Sequence, residues 1–103
     1  MNLLEPLPVD LAAEVVDVLI QSRHVRIERI VSKGHTSPEE GWYDQEDHEW
    51  VLILRGRGEV TFEGGDVVRL VEGDHLNIPA RTRHRVSWTD PDVETLWLAV
   101  FYH

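Results

Sequence analysis

The middle of the chain, from Trp42 to Trp88, alternates short β-type runs with tight glycine turns, and this pattern constrains the fold most strongly. Val60 and Phe62 alternate with polar residues, which is the period-two signature of a half-buried strand. The pair Gly64-Gly65 follows at once, and a second apolar run comes shortly after it. Because glycine adopts positive φ at little steric cost, two such runs joined by this pair predict a tight hairpin. The block predicts at least four antiparallel strands in about fifty residues.

The flanking sequence also has the character of β structure. The segment from Glu14 to Ile20 is compatible with an amphipathic helix, but its β-branched residues favour a strand. The segment from Thr95 to Tyr102 is nearly all apolar, so both of its faces should be covered. The segment from His24 to Ser32 alternates well, and its apolar residues share one side: Val25, Ile27 and Val31. About eight short strands, with turn signals roughly every ten residues, predict an all-β sandwich or barrel.

Size and charge limit the class of partner. The 103 residues predict one domain with a modest core, which association with a second copy would help. The net charge of −9 disfavours nucleic acid and anionic membranes, because both require a basic surface. The absence of cysteine excludes disulfides and thiolate metal sites. No stretch resembles a signal peptide or a membrane-spanning helix, which predicts a cytoplasmic protein.

Two groups of residues in the central block keep regular spacings. In the first group, Gly41 lies upstream, and six residues separate Glu49 from Gly56. In the second group, a glycine is followed after five residues by a proline and after four more by a histidine: Gly73, Pro79 and His84. The two groups are joined by the predicted hairpin, so they belong to consecutive parts of one β structure.

This pattern resembles the cupin superfamily, whose members are small double-stranded β-helix barrels of the jelly-roll group. Within it, the chain is similar to small single-domain (type 2) bacterial cupins of unassigned activity. The resemblance implies one cupin domain over residues 1–103, with an extended N-terminal arm over 1–13 and the core motifs over 41–88. Four positions depart from the usual motifs, where histidine, histidine, glycine and asparagine respectively are expected: Tyr43, Gln45, Arg81 and Trp88.

Candidate site residues follow from strand parity, because residues two apart on a strand share a face. His48 belongs to the opposite face from Glu49, and His84 shares its face with Val86 and Trp88, towards apolar surroundings. The resemblance independently implies that Glu49 and His84 point into the barrel. One face of the strand that enters the central block carries a polar set: Tyr43, Gln45, Asp47 and Glu49.

A carboxylate and an imidazole that converge in a dry cavity are a plausible part of a divalent metal site. Glu49 and His84 would suit Fe, Mn, Ni, Zn or Cu, since these ligand types select poorly among those metals. Gln45 would add a third ligand through its amide oxygen. If a bulge shifts the strand, or the preceding loop swings over the cavity mouth, other side chains become alternate ligands: Asp44, His48 and His35. The alternative is a metal-free cluster, because metal sites normally use at least three protein ligands.

Two functions are therefore open. A metal-dependent enzyme would act on a small polar metabolite, with Glu49 at the reacting centre and Tyr43 orienting the substrate or moving a proton. A small-ligand-binding or regulatory module would use the same cavity without metal or catalysis. In both cases the ligand would contact Tyr43, Gln45 and Trp88, with the indole ring stacking on it. Jelly-roll cupins commonly pair, so the resemblance also implies a homodimer, and a ligand-free dimeric scaffold is a third possibility.

Overall fold

Two antiparallel sheets pack face to face in the computed structural model, which describes residues 2–103. Met1, the first residue of the predicted arm, lies outside the described residues. The strands are β1 (Val15–Gln21), β2 (Val25–Ser32), β3 (His48–Arg55), β4 (Arg57–Phe62), β5 (Val67–Val71), β6 (His75–Ile78), β7 (His84–Thr89) and β8 (Thr95–Tyr102). One sheet has the order β1-β2-β8-β3-β6 and the other has the order β5-β4-β7. The predicted all-β architecture is confirmed, and the ambiguous segment after Glu14 is a strand.

The hairpin between β4 and β5 forms where the glycine pair predicts it. The Phe62 N–H donates to the Asp66 carbonyl oxygen at 2.8 Å, and the Gly65 N–H donates back to Phe62 at 2.9 Å. Gly65 has a φ of +101°, a conformation that side-chain-bearing residues rarely adopt. The turn is therefore fixed by the local sequence.

The core lies between the two sheets and contains one face of β8. Trp97, Ala99 and Phe101 point inward from β8 and meet Val60 and Leu70 of the smaller sheet, and all five side chains are buried. The outer face of β8 is fully covered only near its start: Leu96 is fully buried, whereas Leu98 and Val100 are partly exposed. The expectation that both faces of this strand are covered therefore holds for only part of its length.

Residues 2–14 form neither helix nor strand, and part of this segment lies across the outer face of β2. The buried Arg29 guanidinium donates to the carbonyl oxygens of Leu3 and Pro6, at 3.3 and 3.4 Å. The same guanidinium pairs with Asp17 of β1 at 2.6 Å. A cation on the outer face of the sheet is thus desolvated and compensated by the N-terminal segment and by the edge strand together.

Candidate functional site

A cavity of about 550 Å³ opens between the two sheets. Its deep wall is apolar and includes Val51, Val60, Ile78, Trp97 and Phe101, while polar side chains gather at one end. This volume lies within the range of small-molecule sites, which typically join an apolar wall to a few converging polar groups. The cavity is therefore the candidate functional site.

His84 is the centre of the polar end and is buried. Its Nε2 lies 3.3 Å from Oε1 of Glu49, and its Nδ1 donates to the Thr82 carbonyl oxygen at 2.8 Å. The side-chain amide of Gln45 donates to the same Glu49 oxygen at 2.9 Å. Three of the residues selected from the sequence therefore meet in one hydrogen-bonded group.

Tyr43 reaches the site through an isolated pairing with the start of β7. The Tyr43 N–H donates to the His84 carbonyl oxygen at 2.8 Å, and the His84 N–H donates back at 3.2 Å. The Tyr43 and His84 rings lie 5.8 Å apart, and both Tyr43 and Gln45 line the cavity. Strand parity fails for Asp47, because the chain is irregular before β3 begins at His48. The Asp47 carboxylate instead pairs with His103 at 3.0 Å.

Arg81 holds the segment that carries Gln45. Its φ is +61°, in the left-handed region, and the resemblance expects glycine at this position of the sequence. The left-handed conformation costs a non-glycine residue roughly 1 kcal/mol. Its backbone N–H donates to the Gln45 carbonyl oxygen at 2.8 Å, and its guanidinium contacts Asp44 and Glu46, both at 3.3 Å. The arginine therefore clamps the residues on either side of Gln45 to the loop before β7.

The three alternate ligands are placed differently. Asp44 is not among the residues that line the cavity, and its carboxylate pairs with Arg81 and Arg83. His48 keeps the opposite face from Glu49, where its Nδ1 accepts from the Ala80 N–H at 2.9 Å. His35 does line the cavity, but its Nδ1 accepts from the Lys33 N–H at 2.9 Å.

Trp88 lies outside the cavity, which corrects the expectation from strand parity. In the pairing of β4 with β7, Val60 faces Val86 whereas Glu59 faces Trp88, so Ser87 is an extra residue. This bulge reverses the parity of the residues beyond it. Trp88 is 36% exposed, and the Arg57 guanidinium lies 5.8 Å from its ring centroid.

Sequence reasoning missed the charged residues that β2 places on the cavity side. Glu28 lines the cavity and pairs with Arg26 at 2.9 Å, and the Arg26 guanidinium lies 4.3 Å from the centroid of the Phe101 ring. The apolar residues Ile27 and Val31 do share a face, but it is the outer one. The polar residues that alternate with these apolar ones in β2 could have indicated the cavity wall, because a polar strand face can line a cavity as well as face solvent.

The surroundings of His84 favour its protonated form. Burial of the ring acts to lower the pKa of His84, but the hydrogen bonds to Glu49 and the Thr82 carbonyl, together with the Glu49 charge, outweigh it and raise this pKa. The stabilisation from this pairing is therefore fully present below the ordinary histidine pKa. It is lost as the pH rises through the raised value.

This donor set does not fit a resident metal. Across residues 2–103, no group of three or more histidine, cysteine, aspartate or glutamate side chains is arranged to hold a metal ion. The His84 imidazole and the Glu49 carboxylate bind each other, and Gln45 donates to that carboxylate. Metal sites normally use three or more protein ligands, so the predicted Fe, Mn, Ni, Zn or Cu does not fit Glu49, His84 and Gln45.

Comparisons with known proteins identify the relatives of this chain. The family model described as "Cupin domain" matches residues 28–101. A candidate mannose-6-phosphate isomerase from Ralstonia eutropha JMP134 is 39% identical, with a TM-score of 0.94 over 99% of this chain and 95% of that chain. An RmlC-like cupin from Methanocaldococcus jannaschii with a double-stranded β-helix fold is 20% identical, with a TM-score of 0.73 over 94% and 86% of the two chains. No curated protein sequence matches the chain.

A further structure similar to this chain is the DMSP lyase DddQ from Ruegeria pomeroyi DSS-3, at 22% identity and a TM-score of 0.73, over 87% of this chain and 47% of that chain. Likeness at this level of identity, and to the Methanocaldococcus protein, shows the fold alone. In the part of the chain that the structure describes, no helix has the length and hydropathy that crossing a membrane requires. The family match spans most of the sequence and the Ralstonia relative covers nearly all of it, so this chain belongs to the cupin family.

Proposed function

We propose that this cupin binds a small organic molecule in the cavity between its sheets, without a resident metal. Cupins often bind metals, but here the carboxylate and imidazole that would serve as ligands are bound to each other. The observation that carries the proposal is the double acceptance by Glu49 Oε1, which receives hydrogen bonds from both Gln45 and His84. Tyr43 and Gln45 would contact the ligand, whereas Trp88 would not.

A second candidate function is metal-free proton transfer on the bound molecule. It is favoured by the pairing of a carboxylate with a buried imidazole beside a phenol, since such groups can take a proton from one carbon and return it to another. Glu49 would accept the proton and Tyr43 would orient the substrate. The description of the 39% identical relative as a candidate isomerase agrees with this chemistry.

Metal analysis and ligand-dependent unfolding, on protein purified without a histidine tag, test the proposal. We expect metal well below one equivalent, an unfolding temperature that a chelator leaves unchanged, and stabilisation by a small organic molecule that survives chelation. About one equivalent of a transition metal, lost in a Glu49→Ala, His84→Ala double variant, would contradict it. His75→Ala is the matched control, because His75 is exposed on β6 and lies outside the cavity.

Pairing of two copies is proposed through β1, the edge strand of the larger sheet. Val16 and Val18 of this strand are about half exposed, and an unpaired edge readily pairs antiparallel with its own copy about a twofold axis. We expect sedimentation equilibrium to show a dimer and Val18→Lys to weaken it by roughly tenfold or more while the fold is kept. A monomeric wild type, or an unaltered dimer in the variant, would contradict this interface. The cytoplasmic location and the absence of nucleic-acid or membrane partners stay predictions.

A further inference from the structure

Three side chains of the cavity wall each leave an oxygen acceptor unpaired. Within residues 2–103, the hydrogen bonds of the Glu49 carboxylate fall on Oε1, so Oε2 is left over. Gln45 uses its amide nitrogen on Glu49, which leaves its amide oxygen. Glu28 receives Arg26 on Oε2, which leaves Oε1. Since all three side chains line the cavity, their remaining oxygens offer acceptors to whatever occupies it.

These oxygens are accessible. In the described part of the chain, Arg85 Nε is the one buried side-chain polar atom without a partner. The unpaired oxygens of Glu28, Gln45 and Glu49 are therefore accessible to solvent water. A ligand that displaced this water would have to replace its hydrogen bonds, because an unpaired buried acceptor costs about 1–3 kcal/mol.

Two of the three carboxylates of the wall are already paired with cations. Glu49 pairs with His84 and Glu28 pairs with Arg26, and the third lining carboxylate, Glu14, accepts a hydrogen bond from the Ser32 hydroxyl at 2.8 Å. For residues 2–103, the lining contains neither lysine nor arginine. An anion would therefore meet carboxylate oxygens with no free cation to hold it. A cation would compete with His84 and Arg26 for Glu49 and Glu28, and with the Ser32 hydroxyl for Glu14.

We infer that the cavity takes an uncharged molecule that carries several O–H or N–H donors on an apolar body, an inference that rests on the proposed function. The donors would meet Glu49, Gln45 and Glu28, and the body would lie against the apolar wall. A phosphate group is disfavoured because the three lining carboxylates would repel it. The ligand of this chain would therefore differ from the sugar phosphate in the description of its Ralstonia relative.

Three probes with one aromatic body and different charge test the inference: resorcinol, 3-hydroxybenzoate and 3-hydroxybenzylamine. Titration at neutral pH, followed by the amide resonances of residues around the cavity, gives an affinity for each. We expect resorcinol to bind roughly tenfold more tightly than either charged probe. In Glu28→Gln, the cavity wall loses a negative charge and the nearby Arg26 loses its partner, so the affinity for 3-hydroxybenzoate should rise severalfold while that for resorcinol falls.

The results of these titrations distinguish a wrong ligand class from a wrong proposal of ligand binding. Tighter binding of 3-hydroxybenzoate or 3-hydroxybenzylamine to the wild type would overturn the ligand class and leave a ligand-binding cavity intact. Failure of all three probes to bind at millimolar concentration would overturn both. The wild-type comparison requires no variant, so it decides the question even if Glu28→Gln does not fold.

Discussion

Replacing Gly56 with alanine is expected to lower the free energy of unfolding by about 3 kcal/mol, because the new methyl group would clash with the backbone of a neighbouring segment. Gly56 joins β3 to β4 with a φ of +87°. A Cβ at this position would lie 2.6 Å from the Glu94 carbonyl oxygen and 2.7 Å from the Thr95 Cα. Backbone atoms cannot rotate away as a side chain can, so β8 or the turn would have to move. Chemical denaturation of the variant measures the loss.

Two other glycines separate the two causes of this loss. Gly73 has a similar φ of +88° but open space around its Cβ position, so Gly73→Ala should cost only the conformational part, roughly 1 kcal/mol. Gly64 has open space and no positive φ, so Gly64→Ala should have little effect. Equal losses in Gly56→Ala and Gly73→Ala would show that the close approach to Glu94 is relieved at little cost. Glycine would then be needed at position 56 only for its positive φ, and not for the close approach of Glu94.

The sequence predicts most of the fold, because most of it is set by local patterns. Alternation identifies the strands, and the glycine pair identifies the hairpin between β4 and β5. Alternation does not say which face of a strand points inward, since a one-residue shift exchanges the two faces. In β2 the apolar Ile27 lies on the outer face, while Arg26 and Glu28 face the cavity side. The inward charges were therefore invisible to a rule that places apolar residues inside.

The candidate site could be predicted only where parity is undisturbed. Glu49 is the second residue of β3 and His84 is the first of β7, and the resemblance carried by the two motifs implied that they meet inside the barrel, as they do. Trp88 lies beyond a bulge at Ser87, which depends on how β7 pairs with β4 and has no local signal. Asp47 lies before β3 begins and is held outward by the C-terminal His103. Both misplacements result from contacts between segments distant in the sequence.

Replacing Glu49 with glutamine is expected to remove the charge that holds His84 protonated, and with it about 1–3 kcal/mol of stability at a pH below the ordinary histidine value. Both side chains are largely buried, at 13% and 4% exposure, so solvent screens their interaction little. Without the Glu49 charge, burial of the ring dominates and the pKa of His84 should fall below its ordinary value. Titration of the His84 ring by NMR measures this change.

The pH dependence of the free energy of unfolding gives a second test of the pair formed by Glu49 and His84. Because the pKa of His84 is raised in the folded protein, this contribution to wild-type stability should be complete below the ordinary histidine pKa and decline as the pH rises through the raised value. In Glu49→Gln this decline should disappear. A double-mutant cycle with His84→Gln should show coupling at low pH that shrinks at high pH.

The pair formed by Asp47 and His103 is the matched control, since it joins the same two kinds of group at 3.0 Å on the exposed surface. Surface pairs of this kind are screened by water, so a cycle of Asp47→Asn and His103→Gln should show no measurable coupling. Equal coupling in the two cycles would mean that burial does not strengthen the contact between Glu49 and His84. The proposal that these two residues form a closed pair in place of a metal site would then lose its physical basis.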